Sequence, residues 1–408
     1  MKCRHCVAEL NHTVLDLGAA PPSNAYLRPE QMHAPETWYP LRLLLCDQCW
    51  LVQTEDYAGR ETLFPEDYAY FSSISTSWLA HARAYVDMAA ARFGLGSGHT
   101  VVEIAANDGY LLKFVKQRGI ACYGVEPTKA TAAAARAKDL DIIVDFFGRG
   151  LAQELVEQGR AADLIVANNV LAHVPDINDF LAGIVALLKP HGVASFEFPH
   201  LLRMVQEKQF DTAYHEHYSY FSLIAIHQIF LACGLTVFDV EELGTHGGSL
   251  RVYAQRAGEG RQQISGRVAA LLERERAAGV DSITYYSSFQ GEAESTKDNL
   301  LRYLLEAKGQ GLKVAAYGAA AKGNTLLNFA GVRHDLLPYV ADRSPAKQGR
   351  FLPGSRIPIV DEVYLQERRP DRVLILPWNL RQEVMTQLAY IRAWGGKFVV
   401  SIPQLEEA

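Results

Sequence analysis

The sequence of 408 residues is 49% hydrophobic and 21% charged, which is typical of a folded globular protein and excludes disordered, collagen-like and coiled-coil chains. A single hydrophobic core seldom serves so long a chain, so we expect two or three domains. The 40 basic and 46 acidic residues give a net charge of −6 without a basic cluster, and no apolar run is long enough to span a membrane. We therefore predict a cytoplasmic protein that binds neither nucleic acid nor membranes.

The N-terminal region concentrates cysteine, because four of the six cysteines form two Cys-x-x-Cys pairs, Cys3 with Cys6 and Cys46 with Cys49. Four thiolates in this arrangement suit a tetrahedral structural zinc ion (Zn²⁺) and leave no open coordination position for catalysis. Two disulfides are the weaker alternative, since thiols stay reduced in the cytoplasm. The remaining two cysteines lie in apolar patterns and are predicted to be buried thiols, Cys122 and Cys233.

A β-strand, a turn and a helix are predicted next. The strand is the β-rich run His99–Ile104, the turn is Ala105–Gly109, and a helical run follows. A second strand, Ala121–Val125, ends at Glu126 about 20 residues later, where a doubly wound fold places an acid that binds ribose hydroxyls. A dinucleotide site needs several glycines in the turn, and only Gly109 is present. This departure favours a nucleoside ligand without phosphate, and S-adenosylmethionine fits that description.

Two later segments complete the predicted cofactor site. Asp145 and Phe146 follow a third apolar run, where the acid can meet the adenine amino group and the ring can cover the base. A fourth strand, Leu164–Asn169, ends in asparagines that would face the same crevice. Each piece alone could be a helix cap or a core residue, but their order indicates a methyl-donor domain. The candidate cofactor-binding residues are Glu103, Asn107, Asp108, Gly109, Glu126, Asp145, Phe146 and Asn168.

A histidine-rich segment, residues 210–220, follows the predicted fifth strand Gly192–Phe198 and is therefore placed over the crevice. A general base must titrate near neutrality, as histidine does, and tyrosine hydroxyls can stabilise a developing oxyanion. Two other interpretations stay open: a metal site at His215 and His217, or solvated polar residues. Further along, His246 stands beside two glycines, which suits either close approach to a ligand or a hairpin turn.

The C-terminal third combines helices with a second Rossmann-like pattern. Residues 256–310 are predicted to be linking helices, and the strand Lys313–Tyr317 leads into small residues that open a helix at Lys322. Small residues and a lysine at a helix N-terminus suit a phosphate group, with Lys347 and Arg350 as weaker candidates. The alternative is a Rossmann repeat that serves packing only. The predicted division is a zinc-binding domain (1–75), a methyltransferase domain (76–255), a helical linker (256–310) and a Rossmann-like domain (311–408).

In this order, the motifs resemble those of S-adenosylmethionine-dependent sugar C-methyltransferases, which act on nucleotide-linked 4-keto-6-deoxy sugars in the synthesis of branched deoxysugars. The resemblance extends over essentially the whole chain. It rests on the paired Cys-x-x-Cys motifs and on Glu103–Gly109, Glu126-Pro127, Asp145–Phe147, Tyr214–His217, His246–Gly248 and Tyr317–Lys322. It implies an α/β protein with a zinc-binding N-terminal domain, a central class I methyltransferase domain and a C-terminal Rossmann-like domain.

The resemblance also implies roles for individual residues. The implied substrate is a nucleotide-diphosphate sugar, and His217 would be the base that removes the proton from its carbon 3. The remaining implied catalytic residues are Glu216, Tyr214, His173 and Tyr68, and the implied substrate-binding residues are Tyr70, His246 and Lys322. Ile74 departs from the family pattern and leaves the substrate contacts of that loop open. Carbon 5 as the acceptor and the oligomeric state, for which a monomer is compatible, are also left open.

Two alternative functions are kept. The first is an O- or N-methyltransferase acting on a sugar or another natural product, in which His217 would deprotonate a hydroxyl or position an amine. The second is a non-catalytic zinc-containing scaffold that uses its Rossmann-like domains for protein contacts. The implied C-methylation itself requires neither a redox cofactor nor a catalytic metal.

Overall fold

Three β-sheets organise the chain, and the computed structural model describes them within residues 1–57, 59–63 and 71–408. The N-terminal elements are β1 (His12–Ala20), β2 (Tyr39–Leu45), β3 (Val52–Thr54) and the short helix α1 (Arg60–Leu63). The three strands pair antiparallel. Because His12 pairs with Leu45, the cysteine pair that precedes β1 and the pair that follows β2 lie at the same end of this sheet.

The central region alternates strands and helices, as the sequence predicts. Its strands are β4 (Thr100–Ile104), β5 (Ala121–Val125), β6 (Ile142–Ile143), β7 (Ala162–Asn168), β8 (Leu188–Pro199), β9 (Ser219–Tyr220), β10 (Leu235–Leu243) and β11 (Ser249–Arg256). Its helices are α2 (Thr76–Phe93), α3 (Leu112–Gln117), α4 (Lys129–Arg136), α5 (Arg149–Glu157), α6 (Ile177–Leu187), α7 (Leu201–Gln206) and α8 (Leu223–Ala232).

Seven of these strands form one sheet in the order β6-β5-β4-β7-β8-β11-β10. Strands β4 to β8 within it are parallel, and β11 is antiparallel to both of its neighbours. Helices cover both faces of such a sheet, which is why β7 is apolar and buried along nearly its whole length. The strand order reverses between β4 and β7, so a ligand crevice is expected at their carboxyl ends. The predicted α/β class and Rossmann-like central domain are confirmed.

The C-terminal region begins with two helices, α9 (Gly266–Ala278) and α10 (Phe289–Gly309), which occupy the predicted linker. A second parallel sheet follows, in the order β14-β13-β12-β15-β16, with β17 added antiparallel at its edge. Its elements are β12 (Val314–Tyr317), α11 (Ala321–Phe329), β13 (Val340–Ala341), β14 (Ile359–Val360), α12 (Glu362–Arg368), β15 (Arg372–Ile375), α13 (Arg381–Gln387), β16 (Lys397–Val400) and β17 (Glu406–Glu407). No described helix is both long and apolar enough to cross a membrane.

The N-terminal sheet is completed by a strand from the central region. Strand β9 pairs antiparallel with β3, placing Tyr220 opposite Val52. The N-terminal sheet also shares its core with the C-terminal region, since Leu15 and Leu43 belong to the same buried cluster as residues of α10 and β12. The three regions therefore pack on one another around the histidine-rich segment, and the domain boundaries drawn from the sequence remain a prediction.

Candidate active site

A cavity of about 710 Å³ opens at the carboxyl ends of β4, β5 and β7, within the size range of small-molecule sites. The N-terminal, central and C-terminal regions all contribute to its wall. It is lined by eleven of the residues predicted from the sequence, namely Asn107, Glu126, Asp145, Phe146, Asn168, His173, Tyr214, Glu216, His217, His246 and Lys322. Glu103, Asp108 and Gly109 do not line it, and Tyr68 and Tyr70 lie outside the described residues.

Glu126 fixes the loop geometry on the methyl-donor side of the cavity. Its Oε2 accepts a hydrogen bond from the backbone N–H of Asn107 at 2.9 Å, and its Oε1 accepts from the backbone N–H of Thr128 at 2.9 Å and from the Thr128 hydroxyl. A carboxylate has about four acceptor positions, so acceptor capacity is left on Oε2 for a ligand hydroxyl. Buried at the end of β5, this group fits the ribose of S-adenosylmethionine.

Three predicted cofactor residues do not line the cavity but belong to β4 and the turn that follows it. Glu103 is buried within β4, and burial raises the pKa of its carboxyl well above 4.5. Asp108 is buried as well, where it contacts the Ser73 hydroxyl and lies 3.3 Å from the Lys138 ammonium. Gly109 has φ +73°, and a Cβ on it would lie 2.2 Å from Leu140, so this turn requires glycine. Direct cofactor contact by these three residues stays a prediction.

Unfavourable backbone conformations cluster at the cavity. Four of its lining residues have positive φ although none is glycine, which is rare for L-residues: Ala105 (57°), Asn107 (48°), Asn169 (52°) and His246 (54°). Such conformations persist only where the surrounding structure holds them, and they concentrate at ligand sites. They bring the loops after β4 and β7, and the hairpin between β10 and β11, against one space. The loop that carries His246 joins β10 and β11 as a hairpin, and contact between His246 and a ligand stays a prediction.

His217 is held in one tautomer by its neighbours. Its Nδ1 lies 3.0 Å from the carbonyl oxygen of Thr212, which can only accept, so Nδ1 carries the proton and Nε2 the lone pair. The Tyr214 hydroxyl donates to this Nε2 at 2.6 Å. The His173 ring lies 4.7 Å from the His217 ring, and its Nδ1–H donates to the Glu216 carbonyl oxygen at 2.8 Å. The atom that can take up a proton is thus paired with a hydroxyl that can donate one.

Burial favours the neutral form of three cavity histidines, His173, His217 and His246. It lowers the pKa of His173 to about 4, and it lowers the pKa of His246 to about 4 with a further contribution from the Lys322 charge. It also lowers the pKa of His217 well below 6.5, and the nearby His173 adds to this shift. Only a neutral ring can take up a proton, so this lowered pKa is compatible with the general-base role predicted for His217.

His215 faces away from the cavity. Its Nε2–H lies 3.2 Å from the carbonyl oxygens of Tyr39 and Pro40 on β2, so it ties the histidine-rich segment to the N-terminal sheet. Within the described ranges, the only cluster of side chains suited to a metal ion consists of the four cysteines. A metal site shared by His215 and His217 is therefore not formed.

Lys322 stands in the first turn of α11, with its ammonium 3.0 Å from the Asn379 side-chain oxygen and 4.5 Å from the centre of the Trp378 ring. The Trp378 indole N–H donates to the buried Asp211 carboxylate at 2.8 Å. Burial lowers the pKa of Lys322, and the Asp211 charge opposes this shift. Burial also raises the pKa of Asp211 to about 6. The roles of Asp211 and Trp378 were not predicted from the sequence, because no local motif marks either residue.

The four N-terminal cysteine sulfurs all lie within 4.8 Å of one another. Cys3 Sγ is 3.6 Å from Cys49 Sγ, and Cys6 Sγ is 3.5 Å from Cys46 Sγ. Sulfurs bound tetrahedrally to Zn²⁺ at about 2.3 Å stand about 3.8 Å apart, so the cluster fits this ion. The other two cysteines, Cys122 and Cys233, are half-buried rather than fully buried.

Several residues of the cavity carry no sequence motif. Trp78 and His81 on α2 stack at 4.9 Å, and Trp78 lies 5.0 Å from the His246 ring. His81 Nε2 lies 2.8 Å from the fully buried Glu197 at the end of β8. Lys347 lines the cavity, as the sequence suggested, whereas Arg350 does not. Helical spacing on α2 was the only signal available for Trp78 and His81, and it is equally typical of packing.

Models of known families match three consecutive parts of the chain. A model described as zinc binding matches residues 3–64, a methyltransferase domain model matches 78–240, and a C-methyltransferase C-terminal domain model matches 244–403. A ubiquinone biosynthesis O-methyltransferase of Paramagnetospirillum magneticum is 27% identical over 164 residues, which cover 34% of this chain and 63% of that protein.

A full-length relative is also found. The C-methyltransferase NovU of Streptomyces niveus is 33% identical over 403 residues, which cover 99% of this chain and 96% of that protein. Among solved structures, a 1,6-didemethyltoxoflavin-N1-methyltransferase of Burkholderia thailandensis aligns with a TM-score of 0.37 at 17% identity, over 51% of this chain and 96% of that chain. The full-length relative and the three consecutive family models decide the assignment: the chain belongs to the S-adenosylmethionine-dependent C-methyltransferases with an N-terminal zinc-binding domain.

Proposed function

We propose that this enzyme methylates carbon 3 of a nucleotide-linked 4-keto-6-deoxy sugar, through an enolate formed by His217. The observation that carries the proposal is the 2.6 Å contact between His217 Nε2 and the Tyr214 hydroxyl, in one cavity with Glu126 and Lys322. A base, an oxyanion donor, a ribose acceptor and a cation are the groups that such a reaction needs.

Glu126, Asp145 and Phe146 would hold the methyl donor. The carboxylate of Glu126 accepts from ribose hydroxyls, and Asp145 and Phe146 meet the adenine, because all three line the cavity on the side of β5 and β6. When bound, S-adenosylmethionine supplies an electrophilic methyl group, which a nucleophilic carbon takes up when the two are held in line. Positioning is therefore the main task of this half of the cavity.

His217 and Tyr214 would generate that carbon nucleophile. A ketone at carbon 4 acidifies the hydrogen on carbon 3, so Nε2 of His217 can remove this proton and leave the electron pair as an enolate. The Tyr214 hydroxyl would turn from Nε2 to the carbon 4 oxygen and donate to it as charge develops there. The α-hydrogen and carbonyl oxygen of a ketone lie side by side, as Nε2 and the Tyr214 hydroxyl do in the cavity.

Lys322 would bind the diphosphate of the substrate, with Lys347 as a second cation of the same wall. Both belong to the C-terminal region, and Lys322 stands at the N-terminus of the nine-residue helix α11, where backbone N–H groups also favour an anion. The protein carries a net charge of −6, so its overall field does not attract an anionic substrate. Local cations must therefore provide the attraction.

Solvent exchange tests the proposed chemistry. The wild-type protein is incubated in deuterated water with a thymidine diphosphate 4-keto-6-deoxyhexose, without methyl donor, and deuterium at carbon 3 is followed by NMR. We expect exchange in the wild type, none in His217→Asn, and wild-type exchange in His334→Asn, because His334 is exposed and does not line the cavity. Methylation of an oxygen or nitrogen without carbon exchange would refute the proposal.

A further inference from the structure

A segment of the N-terminal zinc-binding domain reaches the cavity. This segment, Pro21–Leu27, lies between β1 and β2, and its Asn24 lines the cavity together with Glu216. The two residues are 192 positions apart in the chain. The domain that carries the four-cysteine cluster thus contributes a polar side chain beside the residues proposed for proton removal.

Asn24 holds the Glu216 carboxylate by both of its oxygens. The amide Nδ2 of Asn24 lies 2.8 Å from Oε1 and 2.8 Å from Oε2. An ionised carboxylate only accepts hydrogen bonds, so the amide must turn its nitrogen to Glu216 and its oxygen away. The Glu216 carboxylate alone sets this orientation, because the single proton of the Tyr26 hydroxyl, 3.2 Å from that oxygen, goes to the closer Ala319 carbonyl oxygen.

The Glu216 carboxylate is in a position where such support matters. Its residue is 1% exposed, and a buried carboxylate is costly unless hydrogen bonds replace its water. Glu216 immediately precedes His217, and its carbonyl oxygen accepts the Nδ1–H of His173 at 2.8 Å. A displacement of Glu216 would therefore move both histidine rings of the proposed proton-removal site.

The segment that presents Asn24 is clamped by the C-terminal region. Asn324 on α11 donates to the Ser23 carbonyl oxygen at 3.0 Å, and the buried Tyr26 hydroxyl lies 2.6 Å from the Ala319 carbonyl oxygen. Leu27 and Phe351 exchange two backbone hydrogen bonds of 2.9 Å. Asn24 is thus held between two other domains rather than on a free loop, and its amide has a fixed direction.

We propose that Asn24 is a positioning residue, which the zinc-binding domain supplies to hold the Glu216 carboxylate at the reacting centre. The N-terminal domain is then part of the active site and not only a structural cap. This inference rests on the proposed function, because it assigns Asn24 to the same proton-removal step. It also predicts that substitutions of Asn24 slow proton removal through their effect on Glu216.

Carbon 3 deuterium exchange with the thymidine diphosphate 4-keto-6-deoxyhexose measures this role. In Asn24→Asp, two carboxylates face each other, and we expect exchange to slow by about 10- to 100-fold, the size of a lost hydrogen bond to a charged group. Asn24→Ala removes the same hydrogen bond without adding charge, and it should also slow exchange. Ser23→Ala is the matched control, because the Ser23 hydroxyl faces Thr325 and not Glu216. Unchanged affinity for S-adenosylhomocysteine and unchanged zinc content show that each variant is folded.

The double variant Asn24→Asp with Glu216→Gln tests whether Asn24 acts through Glu216. The two substitutions exchange the carboxylate and the amide between the two positions, so one amide again faces one carboxylate. The double variant should therefore exchange at least as fast as Glu216→Gln alone. If Asn24→Asp slows exchange by the same factor in the Glu216→Gln background as in the wild type, the inference is overturned. Wild-type exchange rates in both Asn24→Asp and Asn24→Ala would overturn it as well. A wild-type protein without exchange would instead overturn the proposed function, and this role with it.

Discussion

Glu126→Gln is expected to be as damaging to methyl-donor binding as Glu126→Ala, although glutamine is the same size as glutamate. Both carboxylate oxygens accept from backbone N–H groups, Oε2 from Asn107 and Oε1 from Thr128, each at 2.9 Å. A glutamine must turn its NH₂ towards one of these donors, so we expect that part of the loop to move away, and returning it to the binding geometry costs about 1–3 kcal/mol. The weakened bond to the ribose adds a similar amount. A total of about 3 kcal/mol corresponds to roughly 150-fold weaker binding.

Calorimetric titration with S-adenosylhomocysteine measures this loss directly and does not depend on the identity of the sugar. Asp141→Asn is the matched control, because Asp141 is an exposed carboxylate of the same half-sheet that pairs with Arg160 outside the cavity. Its affinity should equal that of the wild type. If Glu126→Gln binds S-adenosylhomocysteine within threefold of the wild type, the two backbone N–H donors do not require a carboxylate at position 126, and the reasoning fails.

Three further predictions concern the base, the cation and the metal. Carbon 3 exchange should stay level from pH 6.5 upward and fall only at lower pH, because burial holds the pKa of His217 well below 6.5 and protonation removes the active neutral ring. Lys322→Met should weaken binding of thymidine diphosphate by about 10- to 100-fold in calorimetry, since a charge-assisted contact is lost. Removing zinc with a chelator, or by Cys46→Ser, should abolish exchange, because β3 follows the second cysteine pair and the Thr54 hydroxyl donates to the His217 carbonyl oxygen at 3.1 Å.

Each of these predictions has its own control. An inflection of the exchange rate at or above pH 6.5 would show that the ring which titrates is not the buried His217. Lys322→Met must leave S-adenosylhomocysteine affinity unchanged, because the lysine belongs to the C-terminal wall; equal loss of both ligands would indicate a collapsed cavity. Cys122→Ser, outside the cysteine cluster, should keep both metal content and exchange, and full exchange in the metal-free protein would refute the coupling.

The central fold could be predicted from the sequence because its strands are buried runs separated by turns. The second predicted strand, Ala121–Val125, coincides with β5, and the fourth, predicted as Leu164–Asn169, is observed as Ala162–Asn168. Strand β9 could not be predicted, since two residues show no periodicity and the strand exists only where β3 offers backbone partners. That pairing depends on tertiary structure and crosses the domain boundary expected at residue 75.

The residues of the candidate site likewise divide into those that the sequence could predict and those that it could not. Residues at the carboxyl end of a strand or directly after it, such as Asn168 and Glu126, were predictable because the carboxyl ends of parallel strands meet at one crevice. Trp378 and Asn24 were not, because each acts on a residue more than 160 positions away, Asp211 and Glu216. No local pattern distinguishes such a side chain from any other loop residue.

Buried hydrogen bonds attach the histidine-rich segment of the central region to both flanking regions. The residues proposed to hold the methyl donor lie in the central region, whereas the backbone of its histidine-rich segment is bonded to both flanking regions. Thr54 on the N-terminal side bonds to the His217 carbonyl oxygen, and Thr325 on the C-terminal side donates to the Ala213 carbonyl oxygen at 2.9 Å. A proton can be removed from carbon only if base and carbonyl oxygen are held to a fraction of an ångström. Attachment of the segment to two flanking regions would provide that rigidity, so under the proposed function we expect proton removal, rather than methyl-donor binding, to be the step most sensitive to damage in either flank.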